Sequence, residues 1–315
     1  MNKKFDILVV GELNVDLILN QIAAFPVIGK EILADDMELT LGSSSAIFAS
    51  NISTIGASVA FLGSIGQDQF GDLVMDSLQD KKVDTKFIIR SNQFKTGATI
   101  ILNYGEERAM VTHPGAMNEL KAENITEQQL CTARHLHVSS IFLQPALLKG
   151  IINLFAKAKV CGMTTSLDIQ WDPDEKWDVD FEKLLPFVDI FLPNEKEIMA
   201  ITKKDNIEQA VEKLLPFAKT IIVKMGNKGS RAYHENKMIE ADPFLNAEVI
   251  DAIGAGDSFN AGFLSQFIKN ASIAKCLDYG NIMGAINTTA AGGTGAFSSR
   301  ENIIQIAKKQ FNFDL

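Results

Sequence analysis

Several things are scarce in this chain, and each scarcity removes a class of function. Cysteine occurs three times, at Cys131, Cys161 and Cys276, far apart and without a C-x-x-C pair. That excludes a disulfide scaffold or a structural zinc module and predicts buried thiols in a reducing compartment. No apolar run approaches the 18 or so residues that a membrane-spanning helix needs. The run Ile7 to Val10, bracketed by Asp6 and Glu12, reads as a first strand rather than a signal peptide. A cytoplasmic location is the expectation. Positive charge is also short: 30 Lys and Arg stand against 39 Asp and Glu, a net charge of −9. A nucleic acid or an anionic membrane is therefore not the expected partner. Phosphates on a substrate would need local amides, a lysine and a metal ion instead. The P-loop run and the strand-linked G-x-G-x-x-G fingerprint are both missing, which removes those two nucleotide-binding designs. No internal repeat, low-complexity stretch or flexible linker is present.

What is present is enough for a large core. The chain has 315 residues, 46% of them apolar and 22% charged, as expected of a globular protein. From Leu136 onward, short apolar strands alternate with amphipathic helices. Strands are expected at Leu136–Ser140, Thr164–Asp168, Ile190–Leu192 and Ile221–Lys224, with helices at Pro145–Lys159 and Phe181–Leu185 between them. Nearly continuous apolar strands separated by helices predict a mostly parallel sheet covered on both faces. Earlier, residues 17–41 read as extended. Ala98–Leu102 and Arg108–Thr112 flank the turn Asn103-Tyr104-Gly105-Glu106-Glu107 as a hairpin. These excursions, at about 12–41 and 94–114, predict a small sheet standing off a single domain spanning 1–315.

The most informative stretch is Asp251-Ala252-Ile253-Gly254-Ala255-Gly256-Asp257-Ser258-Phe259-Asn260-Ala261-Gly262-Phe263. Phe259, Phe263, Leu264, Phe267 and Ile268 recur at helical spacing, so a helix starts near Asp257. One reading is a capped helix after a glycine turn. The other is an anion site, because Gly254 and Gly256 leave the turn's amides unshielded. A carboxylate would repel a resident phosphate. It fits a transferring phosphoryl group whose attacking hydroxyl must lose a proton.

Asp-x-x-Gly-Ala-Gly-Asp-x-Phe-x-x-Gly-Phe resembles the signature of the ribokinase/PfkB-like carbohydrate kinases. Supporting segments follow in family order over nearly the whole chain. The resemblance implies a three-layer α/β/α fold with a small β-sheet lid, and transfer of the γ-phosphate of ATP to a sugar hydroxyl, most readily a primary one. It implies Asp257 as the base and the amides around Gly254, Ala255 and Gly256 as the anion hole. Asn14 and Asp16, after the first strand, and Gly42 and Ser43, before a helix, would hold the sugar. Ile47 stands where the family has an asparagine, and Asn51, one turn further on, reads as a surface or packing residue.

On the nucleotide side, Asn194 and Glu197 match an Asn-x-x-Glu motif that also reads as a capping box. The family associates it with magnesium, here through water on Glu197. Lys224, Gly226 and Gly229 resemble the nucleotide loop, and Asn287 lies on the segment that the family sets beside adenine. Asp251 marks the place of a monovalent cation, potassium in the family, with Ala252 where threonine is common. Asp168 resembles the start of the family's Asp-Pro-Asn strand end, with Ile169-Gln170 replacing the usual pair. ATP, Mg2+ and a sugar are the implied ligands, and a homodimer through the lid is the implied assembly. A nucleoside kinase using Phe25 or Phe48 for a base, and an inactive sugar-binding protein, are the alternatives.

Overall fold

The computed structural model describes residues 3–104, 107–235 and 237–315. The first half runs β1 (Phe5–Val10), β2 (Asn14–Ile22), β3 (Ala34–Leu41), α1 (Ser44–Ile55), β4 (Val59–Leu62) and β5 (Ser64–Gly66). It continues with α2 (Gln69–Asp80), β6 (Ile89–Ser91), β7 (Gly97–Tyr104) and β8 (Glu107–His113). The middle holds α3 (Glu127–Leu130), β9 (Ala133–Ser139), α4 (Pro145–Leu148), α5 (Ile151–Val160), β10 (Thr164–Asp168), α6 (Phe181–Leu184) and β11 (Ile190–Phe191). Then come α7 (Glu195–Thr202), α8 (Ile207–Leu214), β12 (Thr220–Lys224), β13 (Ser230–His234) and β14 (Lys237–Ala241). Three longer helices close the chain: α9 (Ala255–Phe267), α10 (Ile273–Asn287) and α11 (Arg300–Phe311).

Eight strands form one sheet in the order β14-β13-β12-β11-β10-β9-β1-β4. It is parallel from β4 to β12 and antiparallel beyond. Alternation in β1 feeds both faces: Leu8 and Val10 join one buried cluster, with α5 and α8, and Ile7 and Val9 join the other, with α1 and α9. A strand buried on both sides has no room for polar alternation, which is why these segments read as unbroken apolar runs. The small sheet has the order β3-β2-β7-β8. Of the turn at its tip, Gly105 and Glu106 lie outside the described residues.

Two expectations change. The helix expected from Pro145 to Lys159 is two helices parted at Gly150, where a Cβ would approach the Ala122 Cβ to 2.6 Å. Only glycine lets the chain pass that close. Cys131 and Cys161 are not free thiols but a disulfide, with Cα atoms 5.2 Å apart at the ends of α3 and α5. Their separation of 30 residues hid that the two helix ends meet. Cys276 remains free, and burial pushes its thiol up to about 12. Among the described residues, no helix is long and apolar enough to cross a membrane.

Candidate active site

The carboxyl ends of the parallel strands and the N-terminus of α9 converge. Gly254, at φ +75°, is the helix N-cap, a left-handed conformation that favours glycine. A Cβ there would also meet the Gly293 Cα at 2.7 Å. Among the described residues, the amides of Gly254, Gly256 and Asp257 donate to no protein acceptor. The Ala255 N–H turns back to Ala252 O at 3.3 Å. Three outward amides at a helix start form an anion cradle. A Cβ on Gly256 would lie 3.8 Å from Lys224 Nζ, which puts an ammonium at the cradle's edge.

Asp257 sits in the first turn of α9 and is 5% exposed. Burial, and after it the charge of Asp168, push its carboxyl well above the usual range, while Lys224 pulls it back. Asp168, at the end of β10, is fully buried. Its Oδ2 accepts from Lys224 Nζ at 2.6 Å, Asn260 Nδ2 at 2.5 Å and Gln170 Nε2 at 3.2 Å. Burial disfavours the Lys224 ammonium, but Asp168 and Glu197 outweigh it and raise its pKa.

Asn194 and Glu197 form the expected box at the start of α7. The Asn194 N–H and Nδ2 donate to the carboxylate at 2.9 and 2.6 Å, and the Glu197 N–H donates to Asn194 Oδ1 at 2.9 Å. Burial first, then Asp168, raise Glu197 to about 7. No cluster of three or more His, Cys, Asp or Glu able to hold a metal occurs among the described residues. Each carboxylate oxygen of Glu197 keeps a further lone pair, so its chemistry fits a water-bridged Mg2+ arriving with a nucleotide rather than a dedicated cage. In the loop after β12, Gly226 (φ +57°) has nothing within 4 Å of its Cβ position, whereas a Cβ on Gly229 would strike Ala241 O at 2.2 Å. Gly226 thus lines open space, and Gly229 serves the β12–β13 hairpin.

At β2, Asn14 Nδ2 donates to Asp16 Oδ1 at 2.9 Å and Thr99 Oγ1 at 3.0 Å. A Cβ on Gly42 would sit 2.2 Å from Asp16 Oδ1, so the backbone lies directly on that carboxylate. Burial first, countered by the Asn14 hydrogen bond and reinforced by Glu12, raises Asp16 to about 6. The Ser43 Oγ caps α1, accepting from the Ala46 N–H at 3.0 Å and donating to Glu12 O at 2.7 Å. Its hydroxyl is largely spent on structure.

Two other residues turn out to be braces. Asn287 is fully buried, donating to Ile253 O at 2.6 Å and accepting from Ser258 Oγ at 2.8 Å. Asp251 accepts from the Ile253 N–H and the Gly292 N–H, both at 2.9 Å, tying the signature loop to the late loop. Asn51 is not at the surface. It is fully buried and donates to Ser258 Oγ and Gly293 O, each at 2.9 Å. Ile47 packs where a Cβ on Gly293 would come within 2.3 Å of its Cδ1.

Two groups were not singled out by motif. Glu12, 1% exposed, accepts from Ser45 Oγ at 2.5 Å and the Ser45 N–H at 3.2 Å, and burial raises its pKa. Its signal was an acid placed directly after an apolar strand. Gln170 donates to Asp257 Oδ1 at 3.1 Å, and nothing in the local sequence marks that contact.

The profile of the pfkB family carbohydrate kinases matches residues 4–300. Fructokinase-1 of Zea mays is 26% identical over 85% of this chain and 88% of its own. The ribokinase of Lactococcus lactis is 26% identical over 84% and 85%. The solved structure of a putative ribokinase II from E. coli, in complex with ATP and Mg2+, superposes with a TM-score of 0.82 at 23% identity, covering 96% and 99%. An acid facing a cradle of amides at the mouth of a parallel sheet, together with a profile match over almost the full length, places this chain in the pfkB family of carbohydrate kinases, phosphotransferases with an alcohol group as acceptor.

Proposed function

We propose that the chain phosphorylates a hydroxyl, most readily a primary one, of a small neutral sugar, with ATP as donor. The observation that carries this is the Asp257 carboxylate beside the free amides of Gly254, Gly256 and Asp257, with the Lys224 ammonium at their edge. ATP supplies the phosphoryl group, and Mg2+ offsets the charge on its phosphates. Asp257 takes the proton of the attacking hydroxyl, and the amides hold the charge that builds during transfer. Asn194, Glu197, Lys224 and Gly226 face the nucleotide in this reading, and Asn14, Asp16 and Gly42 face the sugar. Glu12, Asp16 and Asp257 are acids, and Lys224 is already paired with Asp168. A carboxylated or phosphorylated sugar would meet repulsion there, so fructose and ribose fit better than 2-keto-3-deoxygluconate. Of the two aromatic residues that could help line a base pocket in a nucleoside kinase, Phe48 is fully buried against His137, ring centroids 3.9 Å apart. Phe25 is exposed and stacked on Tyr104.

The small sheet serves as the lid in this reading. It projects Asp16, Thr99 and Thr112 on one side and Leu17, Leu39, Ile100 and Val111 on the other, in register across four strands. Leu39 is 40%, Ile100 42% and Val111 66% exposed, an apolar face that a second copy of the chain would cover. We therefore assign a homodimer through this sheet; the cytoplasmic reading rests on the supply of ATP and Mg2+ there and not on the cysteines, two of which form a disulfide. Asp251 stands as the candidate for a K+ effect. An ATP-consumption screen of ribose, fructose, 2-keto-3-deoxygluconate and adenosine, with K+ exchanged for Na+, tests substrate and cation together. Turnover of the sugar acid or adenosine above both neutral sugars would overturn the substrate assignment.

A further inference from the structure

We propose that Gln170 is a positioning residue for Asp257, an uncharged clamp that fixes the rotamer of the base and holds it apart from a neighbouring carboxylate. This rests on Asp257 being the base. Asp168 and Asp257 lie close enough for the first to raise the pKa of the second. Two carboxylates at that range need a donor between them. A lysine or arginine in that place would favour the ionised form strongly and weaken the base. A carboxamide satisfies both oxygens without adding charge.

Gln170 Nε2 does this with its two hydrogens, one toward Asp168 Oδ2 at 3.2 Å and one toward Asp257 Oδ1 at 3.1 Å. Both partners are acceptors, so the amide must present nitrogen to them, and its orientation is decided by the network. With Oδ1 held, Oδ2 is the oxygen left to receive the substrate proton.

The backbone supports this placement. Gln170 adopts φ +57°, left-handed for a residue with a side chain, a conformation that costs about 1 kcal/mol or more and persists only where surroundings impose it. They do. Ile169 is fully buried in the core, the Gln170 N–H leans on Asp168 Oδ1 at 3.4 Å, and Asp172 closes the loop by accepting from the N–H groups of Asp174 at 3.0 Å and Trp177 at 2.6 Å. The turn throws the Gln170 side chain back across the end of β10 toward α9. The charged groups acting on Asp257 are Asp168 on β10, Lys224 on β12 and Glu12 after β1, with the Ser44 hydroxyl of α1 beside it. Glu197 of α7 acts through Lys224 and Asp168.

The test is Gln170→Leu, which keeps bulk and removes both donors, beside Gln170→Glu, which adds a third carboxylate. A 13C carboxyl NMR titration of the free enzyme, with the Asp257 signal assigned by its loss in Asp257→Asn, reads the base directly. In Gln170→Leu the Asp257 midpoint should move to higher pH, and in Gln170→Glu further still. With ATP, Mg2+ and whichever of fructose or ribose the wild type phosphorylates, kcat of Gln170→Leu should fall about 10–100-fold, the range for lost supporting contacts. The acid limb of kcat/KM should move up with the titration while KM for ATP stays unchanged. An unmoved midpoint with wild-type kcat, or a lowered Tm alone, overturns the proposal. If neither sugar is turned over, the titration still decides. Wild-type turnover in Asp257→Asn would instead sink the base assignment itself, whereas an inactive Asp257→Asn beside an unaltered Gln170→Leu would sink only the clamp.

Discussion

One face of β9 and β10 carries two sets of buried polar groups, only a residue or two apart, with opposite behaviour. Inside the strands, His135 Nδ1 meets Thr164 Oγ1 at 2.8 Å and its Nε2 meets Ser166 Oγ at 2.7 Å, while His137 Nδ1 meets the same hydroxyl at 2.8 Å. At the carboxyl ends, Asp168 gathers Lys224, Asn260 and Gln170, and through Gln170 reaches Asp257. Both sets are buried. The imidazoles are held neutral, burial driving His135 down to about 3 and His137 well below its ordinary value. Three of their four ring nitrogens are spent on the Thr164 and Ser166 hydroxyls, and His137 Nε2 has no partner among the described residues. Asp257, by contrast, is lifted in pKa by burial and then by the charge of Asp168, and it stands beside a cradle of free amides. Burial of polar groups therefore does not mark chemistry; crowded like charge beside unspent donors does.

Substitution should separate the two sets most sharply. Asp257→Asn should cut kcat by about 10²–10⁴-fold and raise Tm at neutral pH, since it removes a buried carboxyl whose ionisation the fold resists. Ser166→Ala should leave kcat alone and lower stability by about 1–3 kcal/mol, because ring nitrogens lose their partner. Steady-state kinetics and thermal melts on both variants check this, and the comparison fails if Asp257→Asn keeps its kcat or if Ser166→Ala loses it.

The pH dependence of stability should also split. His135 has a folded pKa of about 3 against an ordinary 6.5, so the unfolded chain binds its proton first. Its contribution is complete above pH 6.5 and is lost as pH falls toward 3. Asp16 and Glu197 are raised to about 6 and about 7. Their contribution is complete below the unfolded values of 3.8 and 4.5 and is lost as pH rises through 6 and 7. Tm measured from pH 4 to 8 should therefore gain at the alkaline end in Asp16→Asn and flatten at the acid end in His135→Leu.

Smaller effects follow at the periphery. Val111→Lys with Ile100→Lys should shift the chain toward monomer in sedimentation without unfolding it. Gly226→Ala should cost about 1 kcal/mol for its left-handed φ and raise KM for ATP, whereas Gly229→Ala should lower Tm more because it strikes a β14 carbonyl.

Much of the frame was legible beforehand. β10 matches its expected limits, Thr164–Asp168, because an apolar run between turn residues carries its own boundary. Asp257 in the first turn of α9 was legible because a helix start is a local event. The Asn194 box was legible for the same reason. The side chains of Asn287 and Ser43 are spent on bracing and capping, which only their distant partners disclose.

The sequence by itself determined the parallel sheet and the signature helix, since these follow from local periodicity and spacing. Tertiary structure decided which acid feels which neighbour. Gln170 reaches Asp257 across 87 positions, Asn51 reaches Ser258 across 207, and Cys131 meets Cys161 across 30. Such contacts exist only after the sheet has brought its strand ends together, so no local pattern of residues could encode them.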